Sequence, residues 1–113
     1  MHEYSIISAL IERVVREAAP HPGATVRRLH IRIGELAGVE IPLLRTAFET
    51  FRARTLCEAA ELAIVAVPAV WRCASCKRAL EPGAVLRCCD RPARLDGGDD
   101  IFLDRIEMEV PDV

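Results

Sequence analysis

Residues 71–89, which read WRCASCKRALEPGAVLRCC, decide how the rest of the chain is interpreted. Four of the five cysteines lie in this segment: Cys73, Cys76, Cys88 and Cys89. The Cys-x-x-Cys spacing of the first two allows both thiolates to reach one tetrahedral ion. Pro82-Gly83 is a turn signal that returns the last two cysteines to the same point. The segment is therefore interpreted as a small metal-binding module inserted into a larger α/β domain.

The residues alone leave three interpretations of the cysteines open. Clustered thiols in a reducing compartment favour a metal site over disulfides. A hairpin with reduced, metal-free cysteines is the second interpretation. The third is a redox pair of the thioredoxin type, which is less favoured because residues 68–71 do not read as a strand that feeds a helix.

Length and composition restrict the class of protein. The 113 residues suit one domain with a small appendage, and a hydrophobic content of 51% is enough for a core. The net charge of −2 and the few aromatic residues do not favour a nucleic-acid partner. The sequence has no apolar run of about 18 residues, the length that a membrane span needs. It also shows no signal-peptide pattern at its start, so we expect a cytoplasmic protein.

Hydrophobic periodicity predicts two helices and three strands outside the cysteine segment. Apolar residues at helical spacing predict a first helix over residues 4–18, which ends before Pro20-His21-Pro22-Gly23. A second helix begins near Pro42, with Leu44, Ala47, Phe48 and Phe51 as its apolar stripe. Strands are predicted at residues 28–33, 61–67 and 101–110. The alternation of the last strand slips between Leu103 and Ile106, which predicts a bulge there.

These elements predict an α+β fold. Two helices can cover one face of a three-stranded sheet, and the polar residues Arg28, His30 and Arg32 suit an uncovered opposite face. The cysteine module, residues 69–98, is predicted to be a zinc-ribbon-like insertion between strands two and three. Residues 1–68 and 99–113 then form the α+β domain.

The first three residues, Met1-His2-Glu3, form a second candidate metal site ahead of the first helix. The α-amine, the His2 amide nitrogen and the His2 ring nitrogen can form fused chelate rings on one ion. Such a set suits square-planar Ni(II) or Cu(II), and the Glu3 amide or a carboxylate can fill the remaining position. The alternative is that His2 is a solvated residue at a chain end.

The sequence resembles the HypA/HybF family, the nickel metallochaperones of [NiFe]-hydrogenase maturation. The resemblance is carried, in chain order, by Met1-His2-Glu3-Tyr4-Ser5, Ile33-Gly34-Glu35-Leu36-Ala37-Gly38-Val39, Ala47-Phe48-Glu49, Glu61-Leu62, Val67-Pro68-Ala69, the Cys-x-x-Cys pair, Gly97-Gly98-Asp99 and Ile106-Glu107-Met108-Glu109. It implies transported Ni(II) bound at the N-terminus through Met1, His2 and Glu3. It also implies a structural Zn(II) on the cysteines and a HypB-type GTPase partner.

The family pattern adds one candidate and exposes one departure. Glu40 falls in the loop where some members place an acidic residue close to the nickel, so it is a candidate fourth donor; its alternative is a solvated carboxylate ahead of the second helix. Two Cys-x-x-Cys pairs are typical of the family, but Arg91 stands three residues after Cys88. Cys73, Cys76 and Cys88 are therefore the main zinc candidates. Cys89, Asp90, another side chain or a water remains open as the fourth ligand.

The sequence is therefore interpreted as that of a non-enzymatic nickel chaperone that delivers Ni(II) during maturation of [NiFe]-hydrogenase. Its expected partners are the GTPase and the hydrogenase large subunit or its maturation complex, with no nucleic acid and no membrane. We expect a monomer or a weak homodimer. The alternatives are a zinc-ribbon interaction module without a nickel role, delivery of nickel to a different enzyme, and a thiol redox protein.

Overall fold

The computed structural model describes residues 2–80, 87–89 and 91–111, and only the backbone of His2, Arg87, Cys88 and Arg91 within them. The predicted turn at Pro82-Gly83, residue Met1 and residue Asp90 lie outside the described residues. The elements are, in chain order, α1 (His2–Ala18), β1 (Thr25–Gly34), α2 (Ile41–Phe51), β2 (Glu61–Val67), β3 (Trp71–Cys73), β4 (Ala79–Leu80), β5 (Arg87–Cys88), β6 (Arg91–Leu95) and β7 (Ile101–Glu109).

Two sheets divide these strands. The main sheet has three long strands in the order β2-β1-β7, with β1 parallel to β2 and antiparallel to β7. The second sheet has four short strands in the order β4-β3-β6-β5 and contains the cysteine segment. The predicted α+β architecture, with a cysteine module between the second and third strands of the main sheet, is confirmed.

The helices cover one face of the main sheet, because each carries an apolar stripe at helical spacing. The core gathers residues from both helices, from β1 and β2, and from the segment that precedes β2. Its buried members are Ile7, Ile11, Val14, Val26, Leu29, Ile31, Ile33, Leu44, Ala47, Phe48, Cys57, Ala60 and Leu62. Phe51, which was predicted to belong to the stripe of α2, lies outside this core and packs edge-to-face on Tyr4 with ring centroids 5.3 Å apart.

The opposite face of the sheet is polar, as predicted from Arg28, His30 and Arg32. Arg28 pairs with Glu61 at 2.8 Å and Arg32 pairs with Asp104 at 2.7 Å. The His30 ring contacts the Glu107 carboxylate, and this contact lowers the pKa of Glu107. The alternating strand pattern therefore separates a buried face from a charged one.

The slipped alternation of the last strand is a β-bulge. His30 pairs with Arg105 and Ile31 pairs with Leu103, so Asp104 is the extra residue. The bulge lies between Leu103 and Ile106, as the sequence predicted. It keeps both of these residues on the face that packs against the core, because Leu103 and Ile106 stand opposite buried residues of β1.

The segments that enter and leave the cysteine module cross tightly at the end of β1. The N–H of Gly34 donates to the carbonyl of Asp100 at 2.8 Å, and the N–H of Leu36 donates to the carbonyl of Gly98 at 2.6 Å. A Cβ on Gly34 would lie 2.2 Å from the carbonyl carbon of Gly98, so only glycine fits there. The Gly34-Glu35-Leu36 loop is therefore the joint between the two sheets.

One sequence prediction about the N-terminus is wrong. Met1-His2-Glu3 was placed ahead of the first helix, but α1 begins at His2. Glu3 lies in the first turn, where a carboxylate is favoured by the unpaired N–H groups and the positive end of the helix dipole.

Candidate metal centres

The cysteine module brings three thiols together. The Sγ atoms of Cys73, Cys76 and Cys89 all lie within 4.8 Å of one another. Cys73 is buried at the end of β3, whereas Cys76 and Cys89 are exposed. The cluster is therefore anchored on its inner side and open to solvent on its outer side.

A tight turn positions the first two thiols. The N–H groups of Ser75 and Cys76 point at the Sγ atom of Cys73, at 3.4 Å and 3.5 Å. The N–H of Lys77 donates to the carbonyl of Cys73 at 3.0 Å, and Lys77 has a φ of 65°. Backbone N–H groups directed at sulfur stabilise the negative charge of a thiolate, which is the form that binds metal.

The backbone that follows β5 positions the third thiol. Cys88 of β5 pairs with Arg91 of β6, so Cys89 directly follows the end of β5. Cys89 has a φ of 51°, a left-handed backbone value that residues other than glycine rarely adopt. This left-handed backbone accompanies the placement of the Cys89 sulfur beside those of Cys73 and Cys76.

The observed cluster changes the emphasis of the predicted ligand set. Cys73 and Cys76 are brought together as expected, and they are joined by Cys89, which the sequence left as one option for the fourth ligand. The side chain of Cys88 lies outside the described residues. Adjacent strand residues alternate in direction, and sequence spacing alone could not show that the short turn would direct Cys89 to the cluster.

The three sulfurs fit a zinc ion. Tetrahedral zinc with Zn–S bonds of about 2.3 Å holds its sulfurs about 3.8 Å apart, so the observed group needs only a small contraction. Thiolate sulfur is a preferred ligand of zinc, and no disulfide joins the described cysteines Cys57, Cys73, Cys76 and Cys89.

The N-terminus forms the second candidate centre. Because α1 begins at His2, the first-turn N–H groups have no backbone carbonyl acceptor within the helix. These backbone nitrogens are the ones that the predicted chelate uses. Met1 and the His2 side chain lie outside what the structure describes.

The Glu3 carboxylate anchors this end of the helix. Its side chain is only 5% exposed and accepts a hydrogen bond from the N–H of Glu40 at 3.2 Å. A hydrogen bond from the chain's α-ammonium group, followed by the backbone N–H groups of Glu3 and Glu40, lowers the pKa of Glu3 to about 2. Glu3 therefore stays ionised and ties the amino end of α1 to the loop before α2.

Glu40 lies next to this end of α1. Its backbone precedes α2 with φ −88° and ψ 112°, and its side chain forms no cap hydrogen bond to the helix. The side chain is exposed. The backbone of Glu40, the predicted acidic candidate, is therefore held against the first turn of α1 by the hydrogen bond from its N–H to the Glu3 carboxylate.

Sequence reasoning missed the role of the Glu3 side chain. Glu3 was predicted to contribute its amide, and nothing in the spacing indicated that its carboxylate would meet Glu40, 37 positions later. The available signal was the acidic residue itself, which favours the first turn of a helix.

No helix in the described part of the chain is both long enough and apolar enough to cross a membrane. The ordinary membrane-spanning length of about 20 apolar residues is not reached by α1 or α2.

Comparison with known proteins identifies close relatives over almost the whole chain. A family model described as "Hydrogenase/urease nickel incorporation, metallochaperone, hypA" matches residues 1–108. The chain is 40% identical over 113 residues to the hydrogenase maturation factor HypA of Shewanella halifaxensis, covering 96% of this chain and 98% of that protein. It is 36% identical over 117 residues to the HypA of Wolinella succinogenes, covering 99% and 98%.

Solved structures show the same relationship. The solution structure of the Ni metallochaperone HypA from Helicobacter pylori matches with a TM-score of 0.72 and 29% identity, over 96% of this chain and 98% of that one. A second solution structure of a HypA protein matches with a TM-score of 0.71 and 30% identity, over 96% and 97%. The similarity therefore includes both the main sheet and the cysteine module.

Proposed function

Because this chain belongs to the HypA family of nickel-incorporation metallochaperones, we propose that it binds Ni(II) at its N-terminus and delivers it during maturation of [NiFe]-hydrogenase. Family members are maturation factors, and metal delivery makes and breaks no covalent bond in a substrate. The proposed activity is therefore binding and transfer of a metal, not catalysis.

The observation that best supports the N-terminal nickel site is the hydrogen bond between Glu40 and the Glu3 carboxylate. It holds the amino end of α1 beside an exposed acidic side chain. In the proposed site, the Met1 amine, the His2 amide and the His2 ring bind the Ni(II) cargo. The Glu3 amide or the Glu40 carboxylate supplies the remaining position.

This arrangement suits a chaperone because the metal sits at an end of the molecule. A site formed by a chain terminus and one helical turn can be reached by an acceptor protein without unfolding of the core. Ligand exchange at such a site can proceed one donor at a time, which favours transfer. The expected acceptors are a HypB-type GTPase and the hydrogenase large subunit or its maturation complex.

The zinc ion is proposed as a structural component. Cys73, Cys76 and Cys89 would hold it, with Cys88 as a further candidate. Bound zinc supplies folding free energy to a small module. The exposure of Cys76 and Cys89 places that module's metal near the surface, where the fold around it can shape a partner surface.

The test is a Ni(II) titration of zinc-loaded protein that begins with its native Met1, beside protein with one added N-terminal glycine. The absorption band of square-planar nickel reports the chelate. We expect about one nickel per native chain and loss of that band in the extended chain, since the amine is displaced from its chelate ring. His2→Ala should match the loss.

His21→Ala is the matched control, because His21 is an exposed histidine in the turn after α1. It should bind nickel like the native chain. Glu40→Gln separates the two candidates for the remaining position: a weakened site assigns it to the carboxylate, and an unchanged site assigns it to the amide. Equal binding by the native and extended chains would contradict the N-terminal site.

A different recipient is the second candidate function, since the matching family description names urease as well as hydrogenase. The two are distinguished by mixing nickel-loaded protein with each apo-enzyme together with its maturation factors. Activation of the hydrogenase alone supports the proposal. If nickel binds only to the cysteines, the zinc-ribbon interaction module becomes the better description.

A further inference from the structure

The main sheet has two outer strands, and they are protected unequally. On β2, the Arg45 guanidinium donates to the carbonyl of Leu62 at 2.9 Å. Next to it, Arg52 donates to the carbonyl of Ala60 at 2.8 Å. Among residues 2–80, 87–89 and 91–111, β7 pairs only with β1, and no side chain donates a hydrogen bond to its backbone. An outer strand with unpaired N–H and C=O groups is a template for a further strand.

An apolar groove runs beside this free edge. It has a volume of about 300 Å³, and Ile6 and Leu10 of α1 line it together with Ile101 and Leu103 of β7, with Arg13 and Arg16 of α1 at its margin. All four apolar side chains are only partly buried. A strand added to β7 would cover these residues as well as pair with the backbone.

The pattern of core-facing and outward-facing residues along β7 is symmetric because of the bulge. Ile101, Leu103, Ile106 and Met108 stand opposite buried residues of β1 and face the core. Phe102, Asp104, Arg105 and Glu107 lie on the charged face, where they contact residues of β1. Both sets are symmetric about the point between Asp104 and Arg105.

We propose that two copies of this chain associate through their β7 edges, in antiparallel pairing centred between Asp104 and Arg105. Asp104 of each copy then stands opposite Arg105 of the other, and Leu103 stands opposite Ile106. Further out, Ile101 meets Met108 and Phe102 meets Glu107. The product is one continuous sheet of two-fold symmetry, with apolar residues paired on one face and opposite charges at its centre.

The bulge selects this register. In an unbulged strand, pairing about a point between two residues would place one copy's core face opposite the other's charged face. Here the extra residue, Asp104, brings the two core faces to the same side of the sheet. A shift of the pairing by one residue would place a core face opposite a charged face again. Bulges and charges usually protect an outer strand from association. On β7 their symmetric placement makes them complementary to a second copy instead.

The association does not depend on nickel and therefore goes beyond the proposed function. Its test is sedimentation equilibrium of the zinc-containing native chain from about 1 µM to about 1 mM, the range in which weak self-association is measurable. We expect a monomer–dimer equilibrium. D104R places two arginines opposite each other at both symmetric contacts and should raise the dimer dissociation constant at least about tenfold.

The double variant D104R/R105D restores opposite charges and should return the dissociation constant to within about threefold of the native value. Arg28→Asp is the matched control. It removes an exposed ion pair from the same face, but it lies on the central strand β1. It should leave the dissociation constant unchanged. Thermal unfolding of each variant checks that the monomer is folded.

Hydrogen exchange supplies a second measurement. Along a strand, backbone N–H groups point alternately to its two neighbours. Those of β7 that point away from β1 should gain protection as the native protein concentration rises, and D104R should abolish the gain. A native chain that stays monomeric across the range overturns the proposal and leaves the edge for a strand of another protein. Equal behaviour of D104R and the double variant, or equal weakening by Arg28→Asp, also overturns it.

Discussion

The α+β domain and the cysteine module are stabilised by different forces. The domain buries apolar residues from α1, α2, β1 and β2 in one continuous core. In the described part of residues 69–98, the only buried side chain is that of Cys73. Burial of apolar surface therefore accounts for one region, whereas the other gathers three thiols around a point that a metal can occupy.

This difference explains how a chain of 113 residues can contain two such regions. A segment of about 30 residues is too short to bury a sufficient core, and small modules of this size usually need disulfides or a metal. The division into residues 1–68 with 99–113 and residues 69–98 remains our proposal. The experiments below test it, from the largest expected effect to the smallest.

Loss of the thiol cluster should have the largest effect and should be confined to the module. Cys73→Ser removes the buried sulfur to which two N–H groups point. We expect bound zinc to fall from about one per chain to nearly none, with fast amide exchange in β3–β6 and retained protection in β1. Zinc analysis and hydrogen exchange provide the measurements.

Cys57→Ala is the matched control for this experiment. Cys57 is buried in the core of the domain, and burial raises the pKa of its thiol. Its removal should leave the zinc content unchanged. If Cys73→Ser also unfolds the α+β domain, the two regions are one cooperative unit and the proposed division is wrong.

A core substitution should show the opposite pattern. Leu29 is fully buried at the centre of β1, so Leu29→Ala should lower the free energy of unfolding of the domain by about 2–5 kcal/mol. Denaturant unfolding measures the loss. Zinc content under native conditions should stay at the native level, and a fall in zinc would show that the module depends on the core.

The joint between the regions should respond to a single methyl group. Gly34→Ala places a Cβ against the backbone of Gly98, with no flexible side chain to move aside, and should cost about 3 kcal/mol. Gly38→Ala is the control, since Gly38 has a φ of +74° but open space around it. Its backbone strain should cost about 1 kcal/mol. Equal costs would show that the close crossing has no role.

Acid should affect the two regions through different groups. Metal release requires protonation of thiolates, whereas the domain loses the contribution of Glu3. Its folded-state pKa of about 2 lies below the ordinary value of 4.5, so its contribution is present above pH 4.5 and is lost as the pH falls toward 2. Glu3→Gln should therefore be less stable than the native chain at pH 7.

This difference between the native chain and Glu3→Gln should close between about pH 4.5 and pH 2, because the native carboxylate is then protonated as well. Urea unfolding at a series of pH values measures it, and zinc release is common to both chains. Glu12 is exposed on the same helix, so the free energy of unfolding of Glu12→Gln should stay within about 0.5 kcal/mol of the native value at pH 7. A difference for Glu3→Gln that persists at pH 2 would contradict the carboxylate's role.

Several elements were predictable because their signals are local. Alternation indicated β1 and its charged face, and the slip in the last strand located the bulge between Leu103 and Ile106. Helical spacing indicated α1 and α2 but overestimated the buried stripe of α2, in which Phe51 is 42% exposed. Spacing gives the direction of a side chain, and only the position of the neighbouring elements shows whether anything covers it.

By itself, the sequence determined the order of the elements, the polarity of each sheet face and the cysteine segment as a metal candidate, since periodicity, turn residues and thiol spacing act over a few positions. The tertiary structure decided the contacts between distant residues. It joined Cys89 to Cys73 and Cys76, and it brought the Glu40 backbone to the Glu3 carboxylate. Such contacts depend on how helices and strands pack together in three dimensions, which no local pattern specifies.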